Sequence, residues 1–406
     1  MKKKSILFVI DSLGCGGAEL ALINLLKNID YKKYSVDLLY FNQENEYFRN
    51  EVPKEVNILT PCIEMQIIFS TLKNLKNYIF NYKNYLLILM RIYFGICGKL
   101  NYSNYFNRKI KDWKKYRKLV PHLNKEYDVA ISYVLNTSTY YVIDKVYAKK
   151  YIGWQHIDYK EAGCDINKDI YYFRKFDVIC TITKELKNKF LALLPKELTN
   201  KVIVFENIID IERILKNAKK KEKFDLEYNG IKIITVGSLR KVKGYDVIIK
   251  ACKILKEKKY LFRWYILGEG EEKEKIKKEI LKENLKEYLI MLGNKKNPYY
   301  YMENSDIYVQ TSYREAFSTT IFEAKCLKKP IVITNASGMK EQIENGRNGL
   351  IAEIGNELEV AAAIEALIID PQKRKRISSE LGKDLQNYKN ELLKKKKLFE
   401  EIILEM

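Results

Sequence analysis

The chain has 406 residues, 47% of them hydrophobic, and 73 Lys and Arg against 52 Asp and Glu give it a formal net charge of +21. That length allows two or three domains with sizeable cores. Seven cysteines, an odd number without a CxxC pair, argue against a disulfide framework and for a reducing cytosol, and with only His122 and His156 no clustered His/Cys metal site is visible.

Met1 to Lys4 is basic, but Ser5 to Ile10 is a short apolar strand leading into a glycine turn, not a signal-peptide core. The turn runs Asp11-Ser12-Leu13-Gly14-Cys15-Gly16-Gly17-Ala18-Glu19 into an apolar helix from Leu20. Its glycines let the backbone turn sharply and approach an anion at the helix N-terminus, although an ordinary strand-to-helix turn reads the same way. The spacing is not GxGxxG, so a dinucleotide fingerprint is not supported. Tyr34 to Tyr40 is the next strand.

Residues 65–120 carry twelve basic side chains, among them Lys73, Lys76, Arg91, Lys111, Lys114, Lys115 and Lys118, against one acid, Asp112. Aromatics from Phe69 to Tyr116 are interleaved with them. The longest apolar run, Tyr85 to Cys97, is cut by Arg91 and falls short of the roughly 18–20 residues a membrane span needs. Basic residues with aromatic anchors suit the headgroup region of an anionic membrane. A solvated basic face over an aromatic core fits equally well. Nucleic acid is disfavoured because no binding motif accompanies the charge.

Strands follow at Val129 to Tyr133 and at Lys150 to Trp154, the latter delivering His156 at its carboxyl end, where sites form. A lone histidine is otherwise usually structural. Asp177 to Thr183 and Lys201 to Phe205 are the last strands of a first domain, 1–210, and a charged segment within 211–229 reads as a linker. A second α/β pattern occupies 230–388. Its first strand, Ile231 to Val236, runs into the basic glycine loop Gly237-Ser238-Leu239-Arg240-Lys241-Val242-Lys243-Gly244. Cations there suit a diphosphate that needs neutralising; a solvent-exposed turn is the bland alternative. Trp264 to Leu267 leads to Gly268-Glu269-Gly270, and Ile290 to Asn294 precedes Asn297-Pro298-Tyr299.

The most informative stretch begins at the strand Ile307 to Gln310. Tyr313-Arg314-Glu315-Ala316-Phe317-Ser318 enters a helix over Thr319 to Leu327, and the strand Ile331 to Thr334 follows. Glu315 and Glu323 stand eight positions apart, so their Cα atoms lie roughly 10–13 Å apart at about 1.5 Å per helical residue. That separation suits two carboxylates gripping different hydroxyls of one long ligand. The free amides of Phe317 to Thr320 form an anion seat between them. A ligand with hydroxyls at both ends and phosphate in the middle is a nucleotide sugar.

This stretch resembles the Glu-x7-Glu region of retaining GT-B glycosyltransferases, the group 1 or family 4 set. The resemblance implies an α/β fold of two Rossmann-like domains with parallel sheets facing a cleft, the second, 230–388, holding the nucleotide-sugar donor and the first, 1–210, on the acceptor side. It implies that Glu315 holds donor-sugar hydroxyls and Glu323 the ribose, with Phe317, Ser318 and Thr319 lining the donor between them. Gly16 and Gly17 match the family's amino-terminal loop facing the donor phosphates, His156 a histidine lining the reacting sugar, and Gly268 the Gly-x-Gly near the nucleotide. Lys243 matches the lysine of Gly-Arg-Leu-x-x-x-Lys-Gly, but Ser238 stands where that pattern has arginine; Arg240 is the substitute considered. The usual Gly after the first Glu is Ala316. The tail 389–406 corresponds to a helix that crosses back to the first domain. No Asp-x-Asp occurs, which removes the metal-nucleotide motif of the competing GT-A enzymes.

The activity expected is retaining transfer from a nucleotide sugar, UDP-linked first, to a lipid-linked or polysaccharide acceptor in bacterial surface-polysaccharide synthesis. It needs no metal or other cofactor, and a peripheral position on the inner face of the cell membrane goes with it. An oxidoreductase on two Rossmann units lacks the fingerprint. A non-catalytic basic membrane- or nucleic-acid-binding protein leaves Glu315, Glu323 and Lys243 without a joint purpose.

Overall fold

The structure is a computed structural model that describes residues 3–79, 81, 84–100 and 105–404, with only the backbone of 97–100 and 105–109. Of the 65–120 stretch, Phe80, Tyr82, Lys83 and Tyr102, and the side chains of Lys99, Tyr105, Phe106, Arg108 and Lys109, lie outside the described residues. The chain divides into two units, one running to Ile208 and taking in the tail from Leu393, the other Ile209–Leu392.

The first unit is built on seven parallel strands: β1 (Lys4–Ser12), β2 (Tyr34–Asn42), β3 (Val56–Leu59), β4 (Glu126–Ser132), β5 (Tyr147–Gln155), β6 (Val178–Thr181) and β7 (Val202–Val204). Their order is β3-β2-β1-β4-β5-β6-β7, so chain order reverses between β1 and β4. Ile6 to Val9 are fully buried at the centre of β1, with Ile6 opposite Val36 on one side and Val129 on the other. A strand covered on both faces must be apolar throughout, which explains these runs. β3 was not expected; Asn57 and its four-residue length hide it.

The insert folds as helices Ile63–Phe69, Tyr85–Leu100 and Tyr105–Tyr116. Met65, Ile110 and Trp113 join the core of β1 and β2 through Leu7, Val9, Leu39 and Phe41. Most of the insert's described aromatics are therefore core or half-buried. Trp113 donates from Nε1 to Asp144 at 2.8 Å, and the Phe94 ring meets Tyr116 edge-on at 5.4 Å. Helix Tyr85–Leu100 is different. Tyr85, Leu86, Leu89, Ile92, Tyr93 and Ile96 are 37% to 65% exposed, while Leu87 and Ile88 are buried. At about 100° per residue those six fall within an arc of about 120°. Arg91, which breaks this run in the sequence, lies almost opposite that arc and donates from Nη2 to the Ser70 carbonyl at 3.1 Å. Among the described residues no helix is long and apolar enough to cross a membrane.

The second unit has six parallel strands: β8 (Ile231–Val236), β9 (Phe262–Leu267), β10 (Leu289–Gly293), β11 (Ile307–Gln310), β12 (Ile331–Thr334) and β13 (Leu350–Ala352). They are ordered β10-β9-β8-β11-β12-β13, with the reversal between β8 and β11. The three-residue β13 is too short to show in the sequence. Part of the expected linker 211–229 is instead helix Ile211–Ala218. Asp210 caps it by accepting from the Arg213 amide at 2.9 Å, and Ile214 and Ala218 bury into the second core. The last helix is far longer than expected, Pro371–Leu404. Ile377, Leu381 and Tyr388 pack into the second core, whereas Phe399 stacks on Phe8 of β1 with ring centroids 6.4 Å apart.

Candidate functional site

Three glycines end neighbouring strands of the second sheet and are tied in series. The Gly237 amide donates to Leu267 O and the Gly268 amide to Gly293 O, both at 3.0 Å. A Cβ on Gly268 would stand 1.9 Å from the Gly237 carbonyl, so no other residue fits. Leu239 is fully buried and anchors the loop after β8, while Ser238 and Arg240 are exposed. The loop closes in a 3-10 turn, Lys241–Lys243, ended by Gly244 in the left-handed conformation at φ 69°. A Cβ there would lie 2.1 Å from the Thr311 carbonyl. This close approach, with Tyr313 N donating to Val242 O at 2.8 Å, sets Lys243 beside the loop that follows β11.

Gln310, the last residue of β11, organises that second loop. Its Oε1 accepts from the hydroxyls of Tyr308 (2.8 Å), Ser318 (2.8 Å) and Thr320 (3.0 Å). With the carbonyl side so occupied, Nε2 donates to Ser312 Oγ and to the Glu315 carboxylate, each at 3.1 Å. Glu315 also forms an ion pair with Lys243. Gly338 packs on the backbone of this loop: a Cβ on Gly338 would meet the Ala316 carbonyl at 2.0 Å, and the Gly338 amide donates to Glu315 O at 3.0 Å. Ser318 caps helix Thr319–Cys326 by accepting from the Ile321 amide at 3.3 Å. The amides of the helix's first turn have no acceptor within the helix itself, and half-buried Phe317 packs its ring against the core just before it.

Glu323 lies one turn into this helix and is 6% exposed. Tyr299 OH donates to it at 3.1 Å and in turn receives Arg213 Nη1 at 3.1 Å. Burial pushes its carboxyl up to about 7, against the pull of the Tyr299 hydrogen bond and the Arg213 charge.

In the first unit, Gly16 is the N-cap of helix Gly17–Leu26. The Glu19 carboxylate folds back over it, close enough that a Cβ on Gly16 would meet Oε2 at 2.2 Å. Burial raises the Glu19 carboxyl, and Ser12 Oγ donates to it at 3.4 Å. His156 follows β5 and packs on the Tyr133 ring with centroids 4.9 Å apart. Its Nε2 is buried with no hydrogen-bond partner among the described residues, and burial pushes its pKa down to about 3. It is neutral at pH 7.

The expected residues thus form two groups. Lys243, Glu315, Glu323, Phe317, Ser318, Thr319, Gly268 and Arg240 belong to the second unit, where Lys243 and Glu315 touch and Arg240 stands exposed on the same loop. Gly16, Gly17 and His156 belong to the first. Gln310 and Arg213 escaped the sequence reading as site residues, and Tyr299 entered it only as part of the segment Asn297-Pro298-Tyr299. A polar residue closing an otherwise apolar strand was the signal for Gln310; Arg213 lay in the supposed linker and gave none. No group of three or more His, Cys, Asp or Glu side chains converges as a metal ligand set among the described residues.

Glycosyltransferases are similar to this chain in sequence and in fold. Residues 196–383 match the family model described as glycosyl transferases group 1. The capsular polysaccharide biosynthesis glycosyltransferase CapM of Staphylococcus aureus is 29% identical over 54% of this chain and 60% of its own length. A Campylobacter jejuni N-acetylgalactosaminyltransferase acting on a diphospho-undecaprenol-linked glycan is 30% identical over 42% of this chain and 46% of its own. The chain thus spans less than two thirds of either relative. In fold the whole chain is similar to HepE of Anabaena, solved with UDP and glucose, at a TM-score of 0.70 and 18% identity over 99% of this chain and 100% of that one. The match to the glycosyl transferases group 1 model covers residues 196–383, and the two Rossmann-like parallel sheets give the chain the GT-B fold.

Proposed function

We propose that the chain transfers a sugar from a nucleotide-diphosphate sugar, with UDP the first nucleotide to try, to a hydroxyl of a lipid-linked or polysaccharide acceptor. The observation that carries this reading is the convergence of Lys243, Glu315 and the start of helix Thr319–Cys326 on the carboxyl ends of β8 and β11. Open α/β sheets bind ligands at such a reversal of strand order. In this reading Glu323 accepts from the ribose hydroxyls and Glu315 from those of the donor sugar. Lys243, Arg240 and the first-turn amides of the helix stabilise the diphosphate. Lys243 and Glu315 pair with each other in this structure, and in this reading the donor gives each a further partner: phosphate for the lysine, hydroxyls for the carboxylate. His156, Gly16 and Gly17 act from the first unit.

Transfer proceeds with retention and without a metal ion or other cofactor. The bond from the anomeric carbon to the diphosphate oxygen breaks, and the acceptor oxygen bonds to that carbon on the same face. The acceptor proton passes to the departing phosphate oxygen. UDP in the HepE structure, capsular synthesis in CapM and the diphospho-undecaprenol substrate of the Campylobacter relative support the donor and acceptor classes.

Peripheral attachment to an anionic membrane, on its cytoplasmic face, completes the reading. The exposed row on helix Tyr85–Leu100 supplies apolar contact, and exposed Lys73, Lys76, Lys111, Lys114, Lys115 and Lys118 supply charge. The deciding experiment is a thermal-shift titration with UDP, GDP and NAD, followed by a nucleotide-sugar hydrolysis screen. The proposal expects a response to UDP or GDP and hydrolysis of one of their sugars. A response to NAD alone, or to none of the three, would overturn it.

A further inference from the structure

Glu323 is held from outside its own helix, by side chains far away in sequence. Its Oε1 accepts from Tyr299 OH at 3.1 Å, and the tyrosine oxygen accepts from Arg213 Nη1 at 3.1 Å. Tyr299 is a buried residue of helix Pro298–Glu303, and Arg213 belongs to helix Ile211–Ala218. Three helices of the second unit therefore meet in one hydrogen-bonded line. Oε2 of Glu323 has no hydrogen-bond partner among the described residues. One oxygen is fixed by the protein, and the other is left to accept from a ligand.

The direction of the line follows from its ends. An arginine only donates and an ionised carboxylate only accepts, so the Tyr299 proton points at Glu323. The guanidinium on the tyrosine oxygen polarises that O–H towards the carboxylate. Arg213 itself has a fixed place. Asp210 accepts from its amide at 2.9 Å, and the Ile209 amide just before donates to Tyr388 OH at 2.7 Å.

Burial opposes an ionised Glu323, whereas the Tyr299 hydrogen bond and the Arg213 charge favour it. The remaining titratable neighbours are Tyr308 of β11 and Cys326 on its own helix. β12 presents only Ile-Val-Ile-Thr. Helix Pro371–Leu404 meets the donor helix at Phe322 and Lys325, through Tyr388, Asp384 and Glu391.

We infer that Arg213 and Tyr299 are positioning residues for the nucleotide, aiming Glu323 at the ribose and holding it in its ionised, hydroxyl-accepting form. The inference rests on the ribose role given to Glu323 in the transfer reading. Nucleotide affinity then follows the charge of this one carboxyl, which sits at about 7, and it rises as pH rises through that value. Removing either partner takes away a stabiliser of the ionised form, so the rise moves to higher pH.

The test is the pH dependence of UDP affinity between about pH 6 and 9, by titration calorimetry of the full chain, with GDP run in parallel. Titration of the nucleotide's own phosphate is common to every variant and cancels in the ratio to wild type. Tyr299→Phe and Arg213→Met each displace the profile upward by about 1–1.5 pH units, the scale of one hydrogen bond to a charged group. Binding is then weaker than wild type by about five- to fifteenfold at pH 7, and by less than about threefold at pH 9. In a Glu323→Gln background neither substitution has a pH-dependent effect, because nothing there ionises. Carbon-13 NMR of the Glu323 carboxyl shows the same displacement without ligand. Tyr299→Phe keeps the ring and its packing, so it remains informative if Arg213→Met fails to fold. A loss of equal size at pH 7 and pH 9, or a pH-dependent loss that persists in Glu323→Gln, would make the pair merely structural and overturn the inference. Weaker UDP binding in Glu323→Gln with unshifted profiles in the other two variants would overturn the positioning role alone. Unchanged UDP and GDP affinity in Glu323→Gln would overturn the ribose reading and the inference with it.

Discussion

Replacing Glu323 by Gln tests the donor site through stability as well as affinity. The folded protein holds this carboxyl at about 7 because it is buried, against an ordinary value of 4.5. Between those two pH values the folded state retains a proton that the unfolded state has released. The associated stability is fully present below 4.5 and is lost as pH rises through 7. At about 1.4 kcal/mol per pH unit, the ionised carboxylate costs the fold about 3 kcal/mol at pH 8. Gln keeps an acceptor for the Tyr299 hydroxyl but never ionises. Glu323→Gln is therefore more stable than wild type by about 3 kcal/mol at pH 8 and by less than about 1 kcal/mol at pH 5. In a unit of this size that is a rise of roughly 6–12 °C in the second unit's thermal midpoint. The same variant binds UDP about 10–150-fold more weakly, because a ribose hydroxyl loses a charged acceptor worth about 1.5–3 kcal/mol. Scanning calorimetry at the two pH values, with titration calorimetry of UDP, reads both effects. Midpoints that differ equally at pH 5 and pH 8 would refute the buried-carboxylate argument, and unchanged UDP affinity would refute the ribose assignment.

Four further outcomes follow from the same geometry. Lys243→Ala and Arg240→Ala each lower turnover by about tenfold or more, the worth of a charged hydrogen bond to the diphosphate; loss in Lys243→Ala alone makes Arg240 a surface residue and Ser238 a true departure from the family pattern. Gly338→Ala lowers kcat by displacing the Glu315–Ala316 backbone, since its Cβ would stand 2.0 Å from the Ala316 carbonyl; wild-type turnover would show that this contact does not position Glu315. In flotation with phosphatidylglycerol vesicles the wild type binds and releases partly at high salt, as cations worth about 1 kcal/mol each are screened, and Leu89→Glu with Ile96→Glu abolishes the salt-resistant part. Absence of binding to any vesicle would contradict the membrane reading. Between pH 5 and 8 the turnover profile carries no limb from His156, whose burial holds it at about 3, and a limb in that range that His156→Gln removes would overturn the assignment of a neutral imidazole.

Much of the second unit was legible because its strands are short apolar runs punctuated by glycines. Helix Thr319–Cys326 begins where its spacing predicts and ends one residue early. What the strand and helix periods could not convey was which polar groups meet. Gln310 orienting Glu315, and the chain from Arg213 through Tyr299 to Glu323, depend on elements far apart in sequence. The insert was ambiguous for a related reason: charge and aromatic content do not say which face is covered. Trp113 and Tyr116 turned inward, whereas Leu86, Leu89, Ile92 and Ile96, unremarkable in a long apolar run, formed the exposed row. Arg91, which reads in sequence as an interruption and as one of twelve basic side chains, lines a cavity.

A crystal structure of the full chain with UDP addresses the central claim most directly. The account predicts the ribose against Glu323, the diphosphate on the first-turn amides of helix Thr319–Cys326 with Lys243 beside it, and the Lys243–Glu315 ion pair opened. A nucleotide bound away from β8 and β11, or one bound there with that ion pair intact and Glu323 untouched, would contradict it.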